Sequence, residues 1–496
     1  MRPLHNTVRL GVLAVALVAA LPALGAEPSV TPAQLQSLLE RMDRLEKRNS
    51  ELEKALQAQT RAAGAKLEER VMSLETQNRQ LEAALASDSI SEQEPELATR
   101  LKYAENQAQT AQTQSRMLDA LGGFSIGADF VGAAQGASGI GNNDVQLNYR
   151  ADLSVTSPTI TTGDVDSFVF ALFRAGQGNG VDFTSFVGPN ASAFQLGSVV
   201  PADNSALIVG ELWYQADIPL PLNGYKPQSR ETLTLNFGKM DPFGFFDQNN
   251  VGGDETTQFL ASALVHNALL DNPLAANVGA DGYGFSPGVR IGYTNASQKP
   301  ESYGLSLGVF ASGDGADFSG PFTKPFVIAQ AETSQRVFGG LEGNYRAYLW
   351  SNGQAPTFIA EQTENHWGWG ISADQRVGDG FSLFGRAGMA YGDNLPFDVT
   401  ASLGGEFNGS YWSRGSDAIG LAYAANRVAD DFHDQSAALS DYGYTADGWE
   451  QTIELYYRFQ VHPQFELTPD LQYIRHPAGN TGENATVVGL RTNLSF

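Results

Sequence analysis

Charged and aromatic side chains recur at every second position in several runs of this 496-residue chain. Arg150 and Asp152 alternate in this way, and so do Glu454, Tyr456 and Arg458. Alternate residues of a β-strand lie on one face, so each run places its polar groups on a single surface. A surface with both signs of charge and with aromatic rings can hydrogen-bond a hydroxylated solute and stack against its C–H groups.

One short motif suggests catalysis, the sequence G-L-S-L-G at residues 304–308, which has the spacing of a hydrolase nucleophile elbow. That elbow needs a sharp turn from a strand into a helix. Ser306 lies instead within an alternating run, with Leu305 and Leu307 on the opposite face. The chain has no H-E-x-x-H motif, no phosphate-binding loop and no cysteine. We therefore predict that the protein is not an enzyme and that it binds no cofactor and no metal.

Strands with a period of two extend from residue 124 to the C-terminus. In the run 145–153, Leu147 and Leu153 share one face; in the run 206–218, Ile208 and Leu212 are assigned to a common apolar face. Further runs, three of them weaker, lie at 124–133, 165–174, 231–240, 286–294, 302–311, 336–349, 366–376, 380–391, 399–412, 416–427, 449–461, 464–474 and 484–496. These are about 15 segments, and we expect about 16 strands because closed bacterial barrels have an even number.

Alternation alone does not separate a soluble β-sandwich from a membrane barrel, since both have one apolar and one polar face. The chain ends on Phe496, with Leu490 on the apolar face of the last run and Arg491 and Asn493 on the other. An apolar face that reaches a C-terminal aromatic residue is typical of the closing strand of an outer-membrane barrel. We predict that this strand pairs with the strand near Phe124.

An apolar face turned to lipid assigns the polar face to a water-filled lumen. Tryptophans near strand ends would then form interfacial girdles, and these are Trp350, Trp367, Trp412 and Trp449. The lumen-facing candidates are Arg150, Asp152, Glu211, Trp213, Arg290, Glu342, Arg346, Tyr348, Arg386, Glu450, Glu454, Tyr456, Arg458 and Arg491. Their mixed charge favours neutral solutes such as sugars, because an ion-selective pore needs a ring of one sign.

The N-terminus predicts export from the cytoplasm. Arg2 and Arg9 flank the start of an apolar segment at 10–21, and small residues follow to residue 26, so residues 1–26 are predicted to be a signal peptide. No later run has the roughly 20 apolar residues of a transmembrane helix. The formal net charge of −24 argues against a nucleic-acid partner.

Residues 27–120 have a different composition, with few glycines and many Leu, Glu, Gln, Ala and Arg residues. Apolar residues follow heptad spacing, with Asn49 and Asn78 at core positions, which predicts an N-terminal α-helical coiled coil. A single amphipathic helix packed on a globular body is the alternative. The motif does not decide between two and three strands. An even number of barrel strands would place this segment in the periplasm.

Two segments, 176–205 and 241–285, are too long for tight hairpins. Residues 255–267 of the second have a mildly helical pattern. Long loops of membrane barrels can fold into the lumen. We therefore expect the segment 241–285 to fold inward and narrow the pore.

Five separated motifs resemble the carbohydrate-selective porins of the OprB type. They are G-K-M-D-P-F-G-F-F-D-Q-N (238–249), D-E-T-T-Q-F-L (254–260), I-E-L-Y-Y-R-F-Q-V (453–461), L-T-P-D-L-Q-Y-I-R-H-P-A-G-N (467–480) and V-V-G-L-R (487–491). The resemblance covers residues 124–496; the long coiled coil is a departure, since many members lack one. Pro469 matches the family pattern, and we expect it to mark a bulge or a strand start.

The resemblance implies a 16-stranded trimeric pore for passive diffusion of small carbohydrates across the outer membrane of a Gram-negative bacterium. It also places candidate solute contacts in the inward loop, at Asp247, Asn249, Asp254, Glu255 and Gln258. The expected partners are outer-membrane lipid, small sugars and further copies of the chain. A structural tether to the cell wall through the coiled coil, or a general porin for small hydrophilic solutes, are the alternatives.

The prediction is thus an all-β transmembrane β-barrel over residues 121–496, preceded by a periplasmic coiled coil over 27–120 and a signal peptide over 1–26.

Overall fold

The computed structural model describes Lys47 and residues 123–496, except for 141–143, 195–203, 223, 226–228, 276–277, 279–283, 314–315 and 317. Apart from Lys47, the predicted signal peptide and coiled coil lie outside the described residues. Among the helices that the structure describes, none has the length and apolar composition needed to cross a bilayer.

Sixteen long antiparallel strands form one closed sheet, which confirms the predicted barrel. A further short strand, β3, pairs with β4 beside a turn. The strands are β1 (Ser125–Ser138), β2 (Gln146–Thr156), β3 (Ile160–Thr162), β4 (Val165–Gln177), β5 (Ala206–Leu220), β6 (Glu231–Met240), β7 (Ser286–Asn295), β8 (Ser302–Phe310), β9 (Phe326–Val337), β10 (Leu341–Pro356), β11 (Thr363–Gly378), β12 (Phe381–Tyr391), β13 (Phe397–Asn408), β14 (Ala418–Val428), β15 (Trp449–His462), β16 (Phe465–Arg475) and β17 (Asn484–Ser495).

The last strand closes the barrel against the first, as predicted from the C-terminal sequence. β17 pairs with β1 over ten residue pairs, from Asp129 opposite Ser495 to Ser138 opposite Thr486. The backbone N–H of Phe496 donates to the carbonyl of Ala128 at 2.8 Å. Closure leaves no unpaired sheet edge, and an unpaired edge cannot be exposed to lipid.

The large apolar side chains of the strands point outward, and the polar side chains point into the lumen. Leu147 is 70% exposed, Leu403 is 61% exposed and Val488 is 61% exposed, whereas Arg386 is 4% exposed and Arg491 is fully buried. A soluble β-sandwich has the opposite arrangement, with its apolar face packed in the core. The structure therefore decides for a membrane barrel.

The two ends of the barrel differ in loop length. The end at which β1 begins and β17 ends has short turns, such as residues 338–340, 379–380 and 463–464. The opposite end carries the long connections 178–205, 241–285, 311–325 and 429–448. Outer-membrane barrels have short periplasmic turns and longer extracellular loops.

Three of the four predicted girdle tryptophans lie outside the inner core of the barrel. Trp367 and Trp449 are 51% and 36% exposed near the long-loop end, and Trp412 lies at the opposite end in the 3-10 turn Gly409–Trp412. The prediction is wrong for Trp350, which is 4% exposed and has its ring 6.4 Å from that of Phe326. Trp350 occupies the inner face because a long loop covers the wall at this point.

The sequence pattern missed strand β9 (Phe326–Val337). Phe326 and Ile328 are fully buried on its inner face, and its outer face carries the small residues Ala329 and Ala331. The apolar inner residues pack against a loop inside the lumen. Apolar and polar positions therefore do not alternate along this strand, and alternation was the signal used to find strands.

An extra residue in β5 places one residue, Ile208, on the opposite side of the sheet from the one predicted. Gly210 forms a β-bulge where β5 pairs with β4. As a result, Val209 is 44% exposed on the outer face, and Ile208 packs inward against Phe194 and Ala206. The assignment of Ile208 to the outer face was wrong, because a bulge shifts the alternation by one residue.

Pro469 marks neither a bulge nor a strand start. β16 begins at Phe465, and Pro469 pairs opposite Leu490 in an unbroken register with β17. The side chain of Pro469 is exposed on the outer face. Proline lacks an N–H, so this strand tolerates one missing donor in its interior.

Because the outer face of the barrel meets lipid, a charged side chain introduced there should destabilise the folded protein. Replacing Leu305, which is 57% exposed on β8, with Arg should destabilise the folded barrel by about 2 kcal/mol, because the charge would face lipid. Urea unfolding in lipid vesicles measures the change.

Glu332 on β9 is a matched control, because it lies next to the residue opposite Leu305 but faces the lumen. Its side chain is 35% exposed and lies 3.9 Å from that of Arg346. Glu332→Arg should cost less than about 1 kcal/mol, the usual size of a solvated ion pair. Equal destabilisation by the two variants would contradict the assigned faces.

Candidate functional site

Two long loops enter the barrel and pair with each other. They are residues 178–194 and 241–285, which we call the first and second inner loops. The N–H of Ala191 donates to the carbonyl of Leu260 at 2.7 Å, and the N–H of Ser262 donates to that of Gly188 at 3.0 Å. The helix predicted over 255–267 is reduced to one turn, Ser262–Val265.

Apolar side chains hold the second inner loop against the inner wall. Phe246 and Phe259 are fully buried. The ring of Phe246 lies 6.0 Å from that of Phe310, and the ring of Phe259 lies 5.6 Å from Phe384 and 5.0 Å from Tyr456. Each fully buried side chain of this kind contributes on the order of 2 kcal/mol. The lumen therefore contains a small hydrophobic core of its own.

A buried ion pair joins the second inner loop to strands β10 and β12. The carboxylate of Asp247 is 3.1 Å from Nε of Arg386. It also accepts hydrogen bonds from the hydroxyl of Tyr348 at 2.9 Å and from the N–H of Asn267 at 2.7 Å. Both charged side chains are almost fully buried, so each needs the other as a partner.

Two carboxylates of β15 hold the backbone of both inner loops. Glu450 accepts hydrogen bonds from the N–H of Phe186 at 2.7 Å and of Ala478 at 2.6 Å. Glu454 accepts from the N–H of Leu260 at 2.7 Å and of Ala261 at 2.8 Å. Each carboxyl group therefore supplies acceptors to two backbone N–H groups that water does not reach. β15 thus fixes the position of each loop in the lumen.

Other predicted lumen residues also bind the second inner loop. Nη1 of Arg491 donates to the carbonyls of Glu255 at 2.9 Å and Gln258 at 2.7 Å. Nη1 of Arg458 donates to the carbonyl of Thr257 at 3.1 Å. Tyr456 donates to Glu406 at 2.5 Å, while its ring covers Phe259. For these residues, contact with a solute stays a prediction, because the structure uses them to position the loop.

Three of the predicted loop residues shape the loop itself. Oδ1 of Asn249 accepts from the N–H of Val251 at 3.0 Å. Oε1 of Gln258 accepts from the N–H of Gly253 at 2.9 Å. Oδ1 of Asp254 accepts from the N–H of the second residue after it at 2.8 Å. These bonds replace backbone partners in a segment without regular secondary structure.

A polar cavity of about 420 Å³ lies between the inner loops and the wall. The predicted residues Arg150, Asn249 and Glu255 line it. Sequence reasoning missed eight further polar lining residues, which are Arg174, Asn190, Asp241, Gln248, Asn250, Ser262, His266 and Asp271. Arg174 was missed because the preceding residues on the inner face of β4, Phe168, Phe170 and Leu172, are apolar, so no polar face was visible there. Asp241 lies within the first quoted motif, which was the available signal.

Alternating charges cross the cavity from the wall to the loop. Nη2 of Arg150 lies 2.7 Å from Oε1 of Glu255. Arg174 binds Asp152 through two hydrogen bonds of 2.7 and 2.8 Å, and Nε of Arg150 is 3.3 Å from the same carboxylate. Donors and acceptors therefore lie side by side where the wall meets the second inner loop.

Two carboxyl groups of the second inner loop differ in their protonation. Burial raises the pKa of Glu255, but the Arg150 guanidinium outweighs it and lowers the pKa to about 2. Burial, followed by repulsion from Glu211, raises the pKa of Asp241 well above its usual range. As the pH falls, Asp241 takes up a proton first, while Glu255 keeps its charge and its ion pair.

The remaining candidates lie on the lumen wall. Glu211 accepts from the indole N–H of Trp213 at 2.9 Å. Arg290 donates to Ser306 at 2.8 Å, and Nη1 of Arg346 lies 3.2 Å from the carboxylate of Asp374. The structure thus brings Arg150, Asp152 and Glu255 together. Glu211, Arg290 and Arg346 are not part of that group. Two further lumen candidates lie on β10. The side chain of Glu342 is exposed, and that of Tyr348 is buried.

Ser306 does not have the geometry of a hydrolase nucleophile. It lies within the continuous strand β8 (Ser302–Phe310), where the elbow would need a strand-to-helix turn. Among the described residues, no group of three His, Asp or Glu side chains is arranged to hold a metal ion.

Comparison with known proteins places the chain among porins. A family model described as "Carbohydrate-selective porin, OprB family" matches residues 106–496. Porin AaxA of Chlamydia pneumoniae is 26% identical over 351 residues, or 68% of this chain and 69% of that protein. Porin B of Pseudomonas aeruginosa is 31% identical over 147 residues, or 26% of this chain and 32% of that protein. The solved structure "High pH structure of Pseudomonas putida OprB" gives a TM-score of 0.61 at 20% identity, covering 77% of this chain and 96% of that one, which supports the fold.

The contacts of Glu454 predict that it keeps the second inner loop narrowed into the lumen. Glu454→Gln replaces one acceptor oxygen by an NH₂ group that cannot accept from the loop N–H, so the loop should loosen. We expect a larger and noisier single-channel conductance in planar bilayers.

Glu466→Gln is the matched control, since it removes the same charge on the neighbouring strand β16. The described contacts of Glu466 include no hydrogen bond to the loop, and its Oε2 has no hydrogen-bond partner. Its conductance should stay close to wild type. The anchoring role is excluded if Glu454→Gln conducts like the wild type, or if Glu466→Gln changes the conductance as much as Glu454→Gln does.

Proposed function

We propose that this chain, which belongs to the carbohydrate-selective porin family OprB, lets small carbohydrates diffuse passively across the outer membrane. The barrel with an apolar outer face is that of an outer-membrane porin. The proposed selectivity for carbohydrates rests on the chemistry of the cavity between the inner loops and the wall.

The pair formed by Arg150 and Glu255 is the observation that carries the proposal. It joins a donor on the wall to an acceptor on the second inner loop at 2.7 Å, and both residues line the cavity. A sugar hydroxyl both donates and accepts, so it can bind next to either group. The cavity of about 420 Å³ has the size of a small-molecule site.

Balanced charge also disfavours strong ion selection. Arg150 and Arg174 face Asp152 and Glu255 across this region, and no sign dominates among these four. A pore that selects ions presents a ring of one sign. A neutral solute avoids the cost of stripping water from a charge, while it can still replace water at the polar groups.

The assembly that we propose is a homotrimer with its N-terminal coiled coil in the periplasm. Its support is the heptad pattern of residues 27–120, together with the short-turn end of the barrel, where β1 begins. The alternative, in which the coiled coil tethers the outer membrane to the cell wall, makes a different prediction for a deletion.

A liposome-swelling assay tests the carbohydrate proposal. Glucose should pass faster than gluconate, which has a similar size but carries a negative charge. Glu255→Gln should raise the passage of gluconate relative to glucose several-fold, because the cavity loses one negative charge and Arg150 keeps only Asp152 as an anionic partner. Glu332→Gln, which alters a lumen ion pair with a longer distance of 3.9 Å, serves as the control. A protein that admits no glucose would contradict the proposed function.

Deletion of residues 31–118 separates assembly from tethering. If the segment serves assembly, the variant should migrate as a monomer in native electrophoresis and still conduct in bilayers. Cells that carry it should keep their resistance to detergent. Trimers that survive the deletion, together with detergent-sensitive cells, would favour the tether.

A further inference from the structure

Four aromatic rings form a strip on the lumen wall below the cavity. They belong to Phe168 and Phe170 on β4, Trp213 on β5 and Phe245 on the second inner loop, and all are partly exposed. The ring of Trp213 lies 4.9 Å from that of Phe170 at an interplanar angle of 28°, 5.5 Å from Phe245 and 5.9 Å from Phe168. The strip runs from the loop towards the short-turn end.

The indole of Trp213 is fixed in place and has no side chain beside it on β6. Its N–H donates to Glu211 at 2.9 Å, and the same carboxylate accepts from the N–H of Asp241, which lines the cavity. The residue opposite Trp213 is Gly238, with φ of 141°. A Cβ at Gly238 would lie 2.6 Å from Cα of Trp213. The glycine therefore permits the close approach of the two strands.

A chain of polar side chains runs across the wall beside the aromatic strip. Gln215 donates to Asp217 at 2.9 Å and accepts from Asn236 at 2.9 Å. Arg290 donates to Asn236 at 3.0 Å and to Ser306 at 2.8 Å. We call these five residues the polar belt. Every member points into the lumen, so donors and acceptors lie in a row across β5 to β8.

The strip and the belt meet at one residue of the loop. The guanidinium of Arg290, a member of the belt, lies 5.2 Å from the ring centroid of Phe245, a member of the strip. An apolar, flat surface thus borders a row of hydrogen-bonding groups. A pyranose ring has the matching chemistry, because its C–H groups can cover an aromatic face while its equatorial hydroxyls project sideways.

We propose that the aromatic strip and the polar belt form a binding subsite for sugar rings, on the short-turn side of the cavity. Trp213 is its central stacking surface. Gln215 and Arg290, which are partly exposed, bind the hydroxyls, and the buried Asn236 holds both of them in place. The subsite rests on the proposed function, since it would be used by carbohydrates that pass the constriction. The subsite should bind cyclic sugars in preference to open-chain polyols, because a polyol has hydroxyls but no flat C–H face.

Sugar-induced changes in ion current test the subsite. Glucose should reduce the current through the wild-type protein in a saturable way. Sorbitol, which has the same number of carbon atoms in an open chain, should not saturate in the same concentration range. Trp213→Leu should weaken the apparent binding of glucose about fivefold, as expected for the loss of one stacking surface. Trp213→Tyr should restore most of the binding.

Tyr214→Leu is the matched control. Tyr214 is the next residue on β5 and faces outward, with its ring 5.2 Å from that of Phe237. This variant should bind glucose like the wild type. The subsite is overturned if Trp213→Leu retains wild-type binding of glucose, or if sorbitol saturates at the same concentrations as glucose. If glucose passes in the swelling assay without these effects, the subsite fails and the proposed function stands; if no glucose passes, the proposed function itself fails.

Discussion

Every backbone N–H and C=O inside a bilayer must find a partner within the protein, and the rest of this structure depends on that constraint. β1 and β17 meet this constraint when they pair and close the barrel. Closure turns the ordinary arrangement of a sheet protein inside out, with leucines facing lipid and arginines facing the lumen. A wet, polar interior is therefore a direct consequence of the solvent outside.

A polar interior does not by itself hold a loop in place. The protein solves this in two ways. Phe246 and Phe259 bury their rings against aromatic residues of the inner wall, which creates a hydrophobic core within the lumen. Glu450 and Glu454 accept hydrogen bonds from backbone N–H groups of both inner loops, which replaces the partners that water would supply. The two inner loops are also joined to each other, so their positions are coupled.

These anchors explain why charged residues in the lumen have separate tasks. Arg386 and Arg491 are buried and bind the second inner loop. Arg150 and Arg174 line the open cavity and balance the carboxylates there. A charge in the first group holds the loop, and a charge in the second group lines the cavity. The low pKa of Glu255 keeps its own carboxylate charged beside Arg150.

The sequence by itself determined the local features that repeat along the chain. Alternation identified most strands and the outward face, and the C-terminal aromatic identified the closing strand. Five motifs identified the family, and the long segment 241–285 identified the second inner loop. Each of these signals depends on neighbours in the chain or on position at its end, so no knowledge of the fold is needed.

Tertiary structure alone decided which residues lie together in the lumen. Asp247 and Arg386 are separated by 139 positions, and Arg150 and Glu255 by 105, so no local pattern links them. β9 escaped detection and Trp350 was assigned to the wrong face because both pack against the loop, which makes part of the inner wall apolar. The bulge at Gly210 moved Ile208 inward through pairing with β4. For β9 and Trp350 the physical reason is the same: alternation reports the solvent on either side of a strand, and a loop folded into the lumen replaces that solvent.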